Sequence, residues 1–151
     1  MITISKQTAM RAINSKRLPS TFVGRVTVIM QKDDAERWLA ALRDGKQRQA
    51  TRQLYDPETK GFCCLGLEQS CNWGGKVETI RANSPHFGAM PTIKYLQLTK
   101  KMYFTGEGKS ALAPEVKKAD GQWQGVSVLN DSHLSFAKIA DLLEPHMTVY
   151  A

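Results

Sequence analysis

The clearest pattern of apolar and polar positions in this chain is a helical one that occurs twice. Apolar residues recur at i, i+3, i+4 and i+7, which places them on one face of an α-helix. The two sets are Ala35, Trp38, Leu39 and Leu42, and Phe136, Ile139, Ala140 and Leu143. Asp33 and Glu36 have the spacing of a capping box and Gly45 suits a left-handed C-cap, so the first helix is predicted over Asp34–Asp44. Ser135 as N-cap and Pro145 as terminator bound the second helix.

Shorter apolar and β-branched runs between polar turns predict strands. These runs are Thr21–Met30, Leu54–Tyr55, Met102–Phe104 and Val126–Leu129. Asp56–Gly61 and Asp120–Gly121 have the composition of turns. Phe62–Cys71 fits a strand that leads into a buried helix, although its length alone does not decide this. Further predictions are a helical turn within residues 9–16, a long surface loop over residues 76–90 and a helix over Thr92–Leu98.

Helices and strands alternate in this order without a regular βαβ rhythm, which favours the α+β class. We therefore expect a small antiparallel sheet with three to four helices and a single core. Residues 1–30 are predicted to form a basic N-terminal arm with one strand. Residues 31–147 are predicted to form a single α+β domain.

Composition narrows the class of protein. With 151 residues, 42% of them hydrophobic and 23% charged, the chain is typical of one globular domain. It contains no apolar run of about 18 residues and no secretory leader, so we expect no membrane association. Cys63, Cys64 and Cys71 cannot all pair within one chain, which favours free thiols in a reducing cytosol.

The net charge of +7 is concentrated at one end of the chain. Residues 1–32 carry +6 and no acidic group, so the remaining 119 residues carry only +1. A basic arm of this kind is one candidate for contact with nucleic-acid phosphates. It would use Lys16, Arg17 and Arg25 together with lysines of residues 94–118 such as Lys100 and Lys101. The alternative is a solvated appendage, because no aromatic platform accompanies it.

No motif in the chain specifies a reaction. Residues 106–110, GEGKS, end like a phosphate-binding loop, but Tyr103 stands where that loop needs its first glycine. The cysteines and histidines lack the paired spacing of a zinc site, so no metal or cofactor is predicted. A cysteine or Asp131 acting with a histidine such as His133 stays open as a third class, a small hydrolase or transferase.

The candidate ligand-binding or partner-binding residues are polar or aromatic. They are Arg43, Gln49, Trp73, Asn130, Asp131 and His133. Trp73 lies in a polar segment, where an indole serves as a stacking surface or folds back over the core edge. Asn130 and Asp131 follow a predicted strand, where they hold a polar ligand or bond their own backbone in a turn. The local turn is the interpretation we favour for these two residues.

Three segments in this order carry a resemblance to a known set of proteins. WLAALRDG at residues 38–45, GFCCLG at residues 61–66 and LND at residues 129–131 followed by SF and IA at residues 135–140 resemble small uncharacterised proteins of bacteriophages and prophages. The match covers about a third of the body and none of residues 1–29. The resemblance implies a phage accessory protein in the bacterial cytoplasm. Such proteins often bind and block host machinery, including antiviral defence, so the expected partner is a host or defence protein or a small nucleotide signal. The absence of a catalytic motif favours a binding protein over an enzyme, with nucleic-acid binding as the alternative function.

Overall fold

The computed structural model describes residues 1–15, 28–52, 54–56, 58–72, 102–104 and 114–151. Within them the chain forms eight strands, five α-helices and a short 3₁₀ turn at Glu144–His146. The strands are β1 (Ile2–Thr3), β2 (Val28–Gln31), β3 (Tyr55–Asp56), β4 (Gly61–Phe62), β5 (Met102–Phe104), β6 (Glu115–Lys117), β7 (Trp123–Gly125) and β8 (Met147–Tyr150). The helices are α1 (Lys6–Ser15), α2 (Lys32–Arg43), α3 (Cys64–Asn72), α4 (Val126–Asp131) and α5 (Phe136–Leu143). The predicted α+β class is confirmed, with more helices than the three to four expected.

The main sheet has the strand order β1–β8–β2–β5 and is mixed. β8 pairs in parallel with both β1 and β2, and only β5 pairs antiparallel, with β2. The expectation of an antiparallel sheet is therefore wrong for this sheet. Parallel neighbours need a long crossover, and the chain between β2 and β8 supplies it with helices. Antiparallel pairing is found in the two small hairpins, β3–β4 and β6–β7.

Two amphipathic helices cover one face of the sheet, as their hydrophobic periodicity predicts. All eight apolar stripe residues of α2 and α5 are buried, and they form one core with α3, α4 and the inward side chains of β2 and β8. The indole of Trp38 is fully buried, and its Nε1 donates a hydrogen bond to the carbonyl oxygen of Cys64 at 2.9 Å. That bond ties α2 to the first turn of α3, so the buried indole keeps a hydrogen-bond partner.

Two of the capping features predicted from the sequence are present at the helix ends, and one is not. Ser135 caps α5 by accepting a hydrogen bond from the Lys138 N–H at 3.3 Å, as predicted. Gly45 follows α2 with φ +70°, also as predicted. The capping box of Asp33 and Glu36 is wrong, because α2 begins at Lys32 and the side chain of Gln31 accepts from the Asp34 N–H instead. Asp33 then lies in the first turn, where its charge suits the helix dipole.

The first fifteen residues pack on the main sheet through β1 and α1. β1 pairs with β8 at the sheet edge, and α1 buries Ala9, Ala12 and Ile13 against Ile29 and Tyr150. This second cluster covers the face of the sheet opposite the main core. The main sheet also extends beyond residue 147, because β8 runs to Tyr150. The other predicted part of the arm, residues 21–27, and the predictions for residues 76–90 and 92–98 lie outside the described residues.

The segment Val126–Leu129, predicted as a strand, is the beginning of α4. Val126, Leu129 and Asn130 are buried at i, i+3 and i+4, which is helical spacing. Tertiary burial of these three side chains overrides the β preference of Val126 and Val128. Because of this change, Asn130 lies on a helix that faces the interior and not at the end of a strand.

Candidate binding site

The side chain of Asn130 joins three separate segments of the chain. It is fully buried, and its Oδ1 accepts hydrogen bonds from the Cys64 N–H at 3.1 Å and from Gln49 Nε2 at 3.0 Å. Its Nδ2 donates to the carbonyl oxygen of Ala50 at 2.7 Å. One amide therefore holds the 49–50 backbone, the start of α3 and α4 together. An amide is suited to this position because it presents a donor and an acceptor at once.

Gln49 extends this connection to the turn before α5. Its Nε2 also donates to the carbonyl oxygen of Leu134 at 2.7 Å. The backbone on either side of Gln49 bonds to β4, through Ala50 N–H to Phe62 O at 2.7 Å and Phe62 N–H to Arg48 O at 2.8 Å. Residues 48–50 consequently lie as a third extended segment beside the β3–β4 hairpin.

Asp131 binds the backbone that follows residues 48–50. Its Oδ1 accepts a hydrogen bond from the Arg52 N–H at 2.8 Å, and Arg52 has φ +66°. His133 also lies in the left-handed region, with φ +67°, and its N–H donates to the Asn130 carbonyl oxygen. A non-glycine residue at positive φ is uncommon and costs free energy, so surrounding contacts must hold it. The predicted local turn, in which Asn130 and Asp131 bond their own backbone, is wrong, because their side chains bond segments almost 80 residues away.

These segments enclose an open depression of about 550 Å³. Its walls are the 48–51 segment, the β3–β4 hairpin and the turn after α4, contributing Arg48, Gln49, Ala50, Thr51, Asp56, Thr59 and His133. Asp56 is engaged in its own turn, accepting from the Glu58 N–H at 2.9 Å and the Thr59 hydroxyl at 3.0 Å. The exposed side chains of Arg48 and His133 supply the cationic and imidazole groups at its edge.

Four of the six candidate residues come together here. Gln49 and His133 line the depression, while Asn130 and Asp131 hold its walls from behind. Sequence reasoning missed Arg48, Thr51 and Thr59 as lining residues. The signal for the first two is the polar and basic run over residues 46–53.

Arg43 lies elsewhere and joins α2 to α5. Its guanidinium makes ion pairs with Asp141 at 3.0 Å and Glu144 at 3.1 Å. The hydrogen bond to Glu144 is the main cause of a raised Arg43 pKa, opposed by partial burial and supported by Asp141. Trp73 and the five basic residues of the nucleic-acid alternative, Lys16, Arg17, Arg25, Lys100 and Lys101, lie outside the described residues.

The three cysteines are poor nucleophiles. Cys63 and Cys64 are buried and free, and Cys71 is partly buried. Burial raises the pKa of the Cys63 thiol to about 11, and it raises that of Cys64 well above its ordinary value. The Cys63 Sγ accepts a hydrogen bond from the Gly66 N–H, and the Cys64 thiol donates to the Val126 carbonyl oxygen. Both thiols therefore stay protonated near neutral pH, whereas the reactive form is the thiolate.

His146 is engaged in structural contacts as well. Its Nε2 accepts a hydrogen bond from the Lys117 N–H at 3.2 Å, and its ring lies 4.8 Å from that of Trp123. Among the residues that the structure describes, no group of three His, Cys, Asp or Glu side chains is arranged to hold a metal ion. In the same part of the chain, no helix is long and apolar enough to cross a membrane.

The fold and the site define an α+β protein with a preformed polar depression. A family model described as a domain of unknown function, DUF8296, matches residues 30–147, and the chain belongs to that family. The match begins within β2 and ends at the first residue of β8. No curated protein and no solved structure matches the chain.

Proposed function

We propose that this protein is a non-enzymatic phage accessory protein that blocks a host or antiviral-defence component by binding, and that it binds through the polar depression. The observation that carries this proposal is the hydrogen bonding of Asn130, Gln49 and Asp131, which holds the depression walls from several directions. A wall fixed before binding loses little conformational entropy when a ligand arrives. The phage origin and the anti-defence role rest on the sequence resemblance.

The chemistry of the lining favours a small anionic ligand such as a nucleotide signal over a flat protein surface. Arg48 supplies a guanidinium, His133 an imidazole, and Thr51 and Thr59 supply hydroxyls. Guanidinium groups bind phosphate oxygens with two parallel hydrogen bonds. The carboxylate of Asp56 is directed to its own turn by the Glu58 N–H and Thr59. A volume of about 550 Å³ is in the range of small-molecule sites.

The state of the nearby reactive groups supports binding without covalent chemistry. The thiols of Cys63 and Cys64 are protonated and buried beneath the depression walls, and His146 is bonded to the backbone of Lys117.

Calorimetric titration with a panel of cyclic and linear mono- and dinucleotides, at moderate salt, tests the proposal. We expect at least one saturable ligand, bound at least tenfold more weakly by the Arg48→Gln and His133→Gln variants. Lys46→Gln is the matched control, because Lys46 is exposed in the same segment but does not line the depression. Mass spectrometry of compounds released from the purified protein then identifies the natural ligand.

Two outcomes would contradict the proposal. The first is that no nucleotide binds and no compound is released from the protein. The second is that a ligand binds with the same affinity to the Arg48 and His133 variants as to the parent. The nucleic-acid alternative makes a separate prediction, a DNA or RNA affinity that falls steeply with salt and with substitution of Lys16, Arg17 and Arg25.

A further inference from the structure

A second concave surface lies on the last two helices and shares no lining residue with the polar depression. It is a groove of about 340 Å³ between the end of β6, the end of α4 and the outer side of α5. Leu129, Leu134 and Leu142 form its floor together with Ala119. An apolar groove with a few charged groups at its edge has the composition of a small-ligand site.

One charged group at the groove edge has no partner of opposite sign among the described residues. Lys118 lies 3.5 Å from Asp120, and the carboxylate of Asp141 is 3.0 Å from the Arg43 guanidinium. Both of these lining charges therefore have a partner of opposite sign. Lys138 is exposed on α5 and makes no ion pair with any residue that the structure describes. A single ammonium group is consequently available beside the apolar floor.

We propose that this groove binds a small amphipathic anion, an unbranched acyl chain that carries one carboxylate. The chain lies on Leu129, Leu134 and Leu142, and the carboxylate faces the Lys138 ammonium. Burial of methylene groups on leucine side chains supplies affinity, and the charge pair fixes the direction of the chain.

Titration of the full chain with sodium octanoate, decanoate and dodecanoate, each below its micellar concentration, tests this proposal. We expect saturable binding whose affinity rises roughly fourfold per added methylene until the groove is filled. In methyl NMR spectra, the shifts should concentrate at Leu129, Leu134 and Leu142. Decyltrimethylammonium, with the same chain and the opposite charge, should bind at least tenfold more weakly than decanoate.

Lys138→Glu is the decisive variant because it should not unfold the protein. Residue 138 is the third residue of α5 after the Ser135 cap, where glutamate completes a capping box. The variant should bind decanoate at least tenfold more weakly and decyltrimethylammonium more tightly. Lys46→Glu, an equal charge change outside the groove, should alter neither affinity.

Three results would overturn the proposal. One is the absence of saturable binding by decanoate and dodecanoate. Another is equal affinity for decanoate and decyltrimethylammonium, because the charge would then play no part. The third is a set of NMR shifts spread over the whole protein, which indicates detergent action. Arg48→Gln, which tests the polar depression, should leave decanoate binding unchanged, so the two proposals fail or succeed separately.

Discussion

Among the glycines that the structure describes, Gly66 leaves the least room for a side chain, and adding one methyl group there tests the packing of α3. A Cβ atom on residue 66 would lie 1.9 Å from the carbonyl oxygen of Leu54 and 2.7 Å from its carbonyl carbon. These are backbone atoms of a fully buried residue, so no side-chain rotation relieves the clash. The same carbonyl oxygen accepts a hydrogen bond from the Cys63 N–H at 3.2 Å.

Two opposing effects decide the outcome of Gly66→Ala. Replacing glycine inside a helix by alanine stabilises the helix by about 1 kcal/mol. Forcing an extra methyl into a packed interior costs about 1–3 kcal/mol, and displacing the Leu54 carbonyl weakens a hydrogen bond worth about 1 kcal/mol. Because the clash is with backbone, we expect the larger cost and a net loss of about 2 kcal/mol in the free energy of unfolding.

Urea denaturation followed by far-ultraviolet circular dichroism measures this loss as a lower midpoint at unchanged slope. Gly125→Ala is the matched control, because a Cβ at Gly125 would meet only the Ser127 hydroxyl at 3.8 Å and its φ is −65°. We expect that control to change stability by less than about 1 kcal/mol. A Gly66→Ala protein as stable as the parent, or more stable, would refute the packing argument and leave helix propensity as the dominant effect.

Other predictions follow from the site and its supports. Asn130→Ala should lower the free energy of unfolding by at least about 2 kcal/mol, measured by urea denaturation, because it leaves the Cys64 N–H and the Ala50 carbonyl oxygen unsatisfied. The exposed Ser132→Ala variant should lower it by less than about 0.5 kcal/mol. Arg43→Ala should lower the free energy of unfolding by less than about 1 kcal/mol, because both ion pairs of Arg43 are exposed to solvent. A decrease of more than about 2 kcal/mol would contradict this. The pKa of the Cys63 thiol is about 11 in the folded state, against an ordinary value of 9.0, so the folded protein keeps this proton at a higher pH than the unfolded chain does. The free energy of unfolding should therefore fall as the pH rises from about 9 to 11, and the fall should be smaller in Cys63→Ala. Alkylation of Cys63 by iodoacetamide at pH 8 should be much slower in the native protein than in urea, and equal rates would show that the thiol is accessible.

The parts of the fold that could be predicted are those where a single periodic pattern decides the structure. The stripes of α2 and α5 and the Ser135 cap depend on residues within a few positions of one another, and each is present as expected. The β3–β4 hairpin and the start of α3 were also signalled locally, by turn residues and an apolar run.

The features of the fold and the site that the sequence does not predict depend on residues distant in sequence. Val126 and Val128 favour a strand locally, but burial of Leu129 and Asn130 against α3 selects a helix. The roles of Asn130 and Asp131 are not predictable locally for the same reason, since their hydrogen bonds reach back to residues 50 and 52. The separation of Arg43 from the depression is likewise set by Asp141 and Glu144, about 100 positions later. No local pattern in the sequence carries that information.

The parallel pairing of β2 with β8 has a consequence for the order in which the protein folds during synthesis. β2 is complete at Gln31, but its partner begins only at Met147, so the central pair of the sheet cannot form until nearly 120 further residues have left the ribosome. The depression has the same dependence, because its walls await Asn130. Contacts between such distant positions form slowly and late. The part of the apolar stripe of α2 that packs on α5 and β8 therefore lacks its partners until these elements are synthesised. We expect this protein to depend on chaperones that hold unfinished chains at the ribosome exit.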